Sequence, residues 1–137
     1  MSYLVDTNVL SELRRKQPDA GVVTWMQQRP RQSLYLSVLT LGEIRKGIEQ
    51  LQDTRRRQSL IDWLEVELPH YFVGRLLSLD ALTADRWGHL MAGAGRPLPA
   101  IDGLLAATAL QHQLTLVTRN TRDFEGLGVP LINPWEA

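Results

Sequence analysis

Short apolar runs punctuate the chain, separated by longer stretches whose apolar residues recur at helical spacing. Tyr3, Leu4 and Val5 form the first run, which ends at Asp6 and suits a buried strand. Val9 to Lys16 then reads as a short helix, and Pro18 with Val22, Val23 and Met26 behind it as a second. Leu34 to Ser37 is the next strand. Thr40-Leu-Gly-Glu43 has the form of a capping box, which predicts a helix opening at Thr40 and running towards Leu51. Asp53 to Leu68 carries Leu60, Ile61, Leu64 and Leu68 at helical spacing, with Pro69 expected to stop it.

Leu76, Leu77 and Leu79 suggest a third strand, and Thr83 to Ala94 a helix with Trp87, Leu90 and Met91 on one face. Leu98 to Gln113 is a helix rich in Ala and Leu, Thr115 to Val117 a strand, and Pro130 to Ile132 a last short strand. Short apolar strands alternating with helices predict an α/β fold. The expectation is one domain over residues 1–137, with a central parallel sheet of four to five strands and helices on both faces.

Composition narrows the function classes. At 137 residues with 44% hydrophobic side chains, the chain is long and apolar enough for one packed core. It contains no cysteine, which removes disulfides, thiol catalysis and cysteine-based zinc sites, and suits a cytoplasmic protein. No apolar run approaches the ~18 residues of a membrane span, and MSYLVDTN lacks the form of a signal peptide. Fifteen basic and fifteen acidic side chains balance, so charge alone does not mark a nucleic-acid binder. The charges are segregated, however: Arg55, Arg56 and Arg57 form a basic run, while several acids sit at the edges of apolar runs. That run suits a solvated helix face, and is also a candidate RNA contact because Arg pairs well with phosphate.

The acids are the informative feature. Ligands of parallel α/β sheets gather beyond the carboxyl ends of the strands. Asp6 follows the first strand, Glu43 the second, and Asn120 and Asp123 the fourth; Asp102 lies near the start of the Ala-rich helix. Carboxylates brought together repel unless a cation intervenes. Mg²⁺ or Mn²⁺ suits such oxygen donors, and phosphodiester hydrolysis uses an ion of this kind to activate water and neutralise developing charge. Singly, Glu43 and Asp102 also suit helix starts, and Asp123 a turn. His70, His89 and His112 lack metal-ligand spacing, Ser11 and Ser37 lack a GxSxG context, and Gly93-Ala-Gly95 lacks a phosphate-loop lysine.

VDTNVLSEL at positions 5 to 13, LSVLTLGEI at 36 to 44, AIDGLLAATAL at 100 to 110 and LVTRNTRDF at 116 to 124 together resemble a PIN domain. The likeness is to the VapC/FitB-like branch, the toxic ribonuclease subunits of bacterial toxin–antitoxin pairs, and the terminal LINPW supports it. The resemblance implies that Asp6, Glu43 and Asp102 are metal-binding acids. The family's fourth acid falls at Asn120, an amide here, so Asp123 is the alternative source of that charge. Thr7, Asn8, Ser37 and Thr118 match polar positions lining the family's site, and equally suit strand-end and cap hydrogen bonds. The resemblance further implies an RNA substrate, a homodimer, a cognate antitoxin that blocks the acidic pocket, and operator DNA bound only through that antitoxin. Two other readings stay open: a metal-dependent DNA nuclease or phosphatase, and a catalytically silent antitoxin-binding or DNA-tethering subunit.

Overall fold

In the computed structural model, which describes residues 1–137, the apolar runs pair into one five-stranded sheet. The strands are β1 (Tyr3–Val5), β2 (Leu34–Ser37), β3 (Leu76–Leu77), β4 (Thr115–Val117) and β5 (Leu131–Ile132). Their spatial order is β3-β2-β1-β4-β5, and every neighbouring pair is parallel. Central β1 is buried on both faces, which is why its sequence shows no polar alternation. Its side chains nevertheless divide between two cores. Tyr3 and Val5 pack with Trp25, Ile48 and Phe72, whereas Leu4 packs with Leu105, Leu116 and Phe124.

The chain builds outward from β1 to β3, then returns to the other side of β1 to add β4 and β5. Connections leaving β1 and β4 therefore diverge, and the crevice between them opens at the carboxyl ends of the strands. Asp6 and Thr118, each one residue past its strand, stand at that crevice.

Helices α1 (Thr7–Leu13), α2 (Ala20–Gln27) and α3 (Val38–Glu49) precede α4 (Thr54–Asp62) and α5 (Leu68–Tyr71); α6 (Ala81–Gly93) and α7 (Ala100–Gln111) follow. Three differ from the sequence expectation. Helix α1 opens at Thr7, not Val9, because Asp6 caps it by accepting from Thr7 N at 2.7 Å, and it ends at Leu13, not Lys16. Helix α3 opens at Val38, not Thr40, because Ser37 caps it by accepting from Leu39 N at 3.1 Å. Strand β2 thus runs straight into the helix, Thr40 becomes a wholly buried helical residue, and Glu43 moves from the first turn to the second.

Pro69 does not end the helix that begins at Thr54. The backbone widens into a π-helical turn over Trp63–Glu67, with Leu68 N bonding Trp63 O, and continues to Tyr71. A wider turn gives room for the proline ring and needs no donor from residue 69.

Helices α6 and α7 approach closely at Gly103: a Cβ there would meet Met91 Sδ at 2.6 Å and Trp87 Nε1 at 3.0 Å. This contact seats the first turn of α7, which carries Asp102. No helix is long and apolar enough to cross a membrane.

Candidate active site

Asp6 is the centre of the crevice. Its backbone N–H still bonds Val117 O at 2.9 Å, while its extended conformation makes it the N-cap of α1. One carboxylate oxygen, Oδ1, accepts from Thr7 N at 2.7 Å. The other, Oδ2, accepts from Thr118 Oγ1 at 2.8 Å and more weakly from Asn8 Nδ2 at 3.4 Å. The side chain is only 8% exposed. Burial pushes its pKa from 3.8 up to about 6; the Thr118 and Thr7 hydrogen bonds pull it down, and the charges of Glu43 and Asp102 push it up again.

Glu43 reaches the same place from α3. Its Oε1 accepts from Thr7 Oγ1 at 2.5 Å, and that hydroxyl also lies 3.2 Å from the buried Thr40 Oγ1. Thr7 thus links the amino end of α1 to the acid of α3. Asp102 is half-buried in the first turn of α7. Its pKa is raised first by burial, then by the charges of Asp123 and Glu43, while Arg96 pulls it down. Asp123 lies exposed on a 3-10 turn, Thr121–Phe124, directly after the β4 edge.

Four carboxylates from distant segments therefore influence one another in one crevice: Asp6, Glu43, Asp102 and Asp123. No three of the chain's His, Asp and Glu side chains close into a ready-made metal cage. The arrangement fits a hard ion such as Mg²⁺, which keeps several waters and takes one or two carboxylates directly. The upward pKa shifts of Asp6 and Asp102 identify the unfavourable charge that such an ion relieves. An imidazole- or thiolate-rich site of the zinc type is absent.

The polar residues expected to line the site have specific tasks. Thr118 is fully buried; its hydroxyl donates to Asp6 and accepts from Asn8 Nδ2 at 3.3 Å and Asn120 N at 3.1 Å, which uses its whole capacity. Asn8 Oδ1 accepts from Arg119 N at 3.3 Å, so Asn8 stitches α1 to the end of β4. Asn120 is exposed and its side-chain amide makes no hydrogen bond within the chain, whereas the Asp123 charge is felt at Asp102. Ser37 is a helix cap, buried and facing Leu39 N.

The basic run is partly committed elsewhere. Arg57 pairs with Glu49 at 2.5 Å, and Arg56 Nη2 donates to Arg14 O at 3.1 Å; only Arg55 of the three lacks such a partner. Trp135 carries Arg119 over its ring at 5.0 Å, and Asn133 bonds both Arg119 O and Trp135 N, which ties the LINPW segment to the end of β4. Sequence reasoning missed two residues. Thr40 was disguised as a cap, and Arg96 lies in a loop, GAGRPLP, that carries no motif.

The PIN domain family matches residues 3–129, and the chain belongs to that family. It is 38% identical to the VapC ribonuclease Y4jK of Sinorhizobium fredii, over 97% of each chain. It is likewise 38% identical to toxin FitB of Neisseria gonorrhoeae, over 96% of this chain and 97% of that one. The crystal structure of FitAcB from Neisseria gonorrhoeae superposes with a TM-score of 0.92 at 36% identity, covering 98% of this chain and 99% of its counterpart.

Proposed function

We propose that this chain is a metal-dependent endoribonuclease, the toxin of a toxin–antitoxin pair. The observation that carries the reading is the buried Asp6 carboxylate, held by Thr7, Thr118 and Asn8 and raised to about 6 beside Glu43 and Asp102. An acid kept in such a place at a cost to the fold is a mark of a functional site. The likeness to a VapC ribonuclease and to toxin FitB over almost the whole chain supports RNA as substrate.

Asp6 and Asp102 would hold Mg²⁺ or Mn²⁺, with Glu43 binding directly or through water and Asp123 supplying the fourth charge. When bound, the ion would activate water and neutralise the negative charge that develops on the phosphoryl oxygens. The chain's residues do the placing. Thr118 and Thr7 fix both oxygens of Asp6, and Thr7 orients Glu43 towards the same crevice. Asn8 holds the β4 edge against α1, so that the crevice keeps its width.

A cognate antitoxin is the matching partner. An open groove of about 370 Å³ runs between α1, α2 and the helical segment 63–72, lined by Leu10, Leu13, Met26, Trp63, Leu68 and Tyr71. An apolar face of a partner helix fits it, and an Arg or Lys of that partner would complement the acids. A homodimer, with operator DNA reached only through the antitoxin, completes the proposal.

The test is cleavage of single-stranded RNA and of duplex DNA by the purified chain, in Mn²⁺ and in EDTA. RNA cleavage abolished by EDTA, with DNA intact, is expected. DNA cleavage without RNA cleavage favours the DNA-nuclease reading, and inertness towards both favours a silent antitoxin-binding subunit.

A further inference from the structure

The loop between α6 and α7 carries one cation, Arg96, which bonds the backbone of the turn that holds Asp123. Gly95 adopts φ +71°, a left-handed conformation that glycine takes at little cost, and this reverses the chain just before Arg96. Two residues on, Leu98 is buried in the core that also holds Phe124 and Leu127. Arg96 itself is exposed, so its side chain is not part of that core.

Its guanidinium reaches the turn that follows β4. Arg96 Nη2 donates to Asp123 O at 2.9 Å and to Glu125 O at 3.1 Å. These two carbonyls bracket the buried Phe124, and neither has another hydrogen-bond partner in the chain. Phe124 anchors the turn in the core, and the turn's other backbone hydrogen bonds are local, as in Asp123 N to Asn120 O at 3.0 Å. Arg96 therefore links the connection entering α7, which carries Asp102, to the turn that carries Asp123.

We propose that Arg96 is a positioning residue: it clamps the Asp123 turn against the start of α7, so that Asp102 and Asp123 face the crevice at a fixed separation. The proposal rests on the nuclease reading, because it gives that separation a purpose. Helix α7 also packs directly against the turn Thr121–Phe124, so the segments that carry the two acids are neighbours. Polar groups that orient ligand-bearing segments carry much of a metal site's affinity.

The sign of the effect separates placement from charge. Removing a positive charge near carboxylates, with nothing else altered, tightens cation binding. Losing the clamp weakens it, because both acids must then be ordered on binding.

The experiment titrates Mn²⁺ calorimetrically into the full-length parent, Arg96→Met, Arg96→Lys, Asp123→Asn and the Arg96→Met/Asp123→Asn double variant. Metal-free melts in EDTA accompany each titration. Arg96→Met should weaken Mn²⁺ binding about tenfold while melting close to the parent in EDTA, since the side chain is exposed. Arg96→Lys, which keeps the charge and a donor, should recover part of the loss. In the Asp123→Asn background most of the Arg96→Met loss should vanish, because the two changes act through one turn.

An Arg96→Met protein that binds Mn²⁺ as tightly as the parent, or more tightly, overturns the clamp. So does a loss retained in full in the double variant. A parent that binds no Mn²⁺ and cleaves no RNA overturns the nuclease reading itself; an active, Mn²⁺-binding parent with an unaffected Arg96→Met overturns this inference alone.

Discussion

Thr118 Oγ1 donates to Asp6 Oδ2 at 2.8 Å, joining residues 112 positions apart in sequence. The bond ties the end of β1 to the end of β4 at the point where the strand order reverses. The same hydroxyl accepts from Asn8 Nδ2 and Asn120 N. Thr118→Val keeps the shape and removes all three bonds. It should cost about 1–3 kcal/mol and raise the Asp6 pKa further, since the Thr118 bond is the first influence lowering it. Thr118→Ser should stay near the parent. Denaturant melts of the three proteins check this, and equal midpoints for Thr118→Val and the parent would show that the bond carries no stability.

The raised Asp6 pKa gives the metal-free chain a particular pH dependence. Between the unfolded value near 3.8 and the folded value of about 6, the folded chain holds the Asp6 proton and the unfolded chain has released it. Stability therefore falls as pH rises through that window, by about 3 kcal/mol in all. Asp102, shifted in the same direction, adds to the slope. Melts in EDTA from pH 4 to pH 7 should show the decline, and Asp6→Asn should flatten it. A parent profile that is flat across the window contradicts the buried, repelled carboxylate.

Asp102 supplies a second view of the same repulsion. Metal-free Asp102→Asn should be as stable as the parent or slightly more so, because it relieves the interaction with Asp123 and Glu43. Metal reverses the order. At a hundredfold excess over Kd, Mn²⁺ should stabilise the parent by about 2.7 kcal/mol and Asp102→Asn by much less. Equal gains from Mn²⁺ in both proteins would return Asp102 to the role of a helix-start acid.

The fourth charge is assigned by a matched pair of variants. Asp123→Asn should weaken Mn²⁺ binding, since Asp123 is one of the two carboxylates whose charge acts on Asp102. Asn120→Asp, at an exposed side chain with no partner in the chain, should tighten it by adding a charge at the same edge. A titration unchanged by either substitution removes both residues from the site.

Much of this architecture is legible in the sequence because its signals are local. Tyr3–Val5 and Thr115–Val117 read as strands since a central parallel strand needs apolar residues on both faces. Asp6 reads as special because a carboxylate closing such a run needs partners. What stayed hidden depends on tertiary contact. Thr40 has the spacing of a cap, and only the proximity of Thr7 shows that it is buried beside the acids. Pro69 reads as a stop, and only packing of Trp63, Leu64 and Leu68 into the core makes a π-turn worth its cost. Arg96 bonds to backbone carbonyls 27 and 29 positions away, which no pattern of side-chain types encodes.

Asp6 is the carboxylate proposed to hold the cation used to cut RNA, and comparing Asp6→Asn with the parent tests that role most directly. Each is incubated with a single-stranded RNA in Mn²⁺, with far-ultraviolet circular dichroism and a melt to establish folding. An amide retains the size of the carboxylate but not the charge that binds the cation. A folded Asp6→Asn protein with cleavage lost is expected, beside a parent whose cleavage EDTA abolishes. A folded Asp6→Asn protein that cuts RNA at the parental rate would contradict that role.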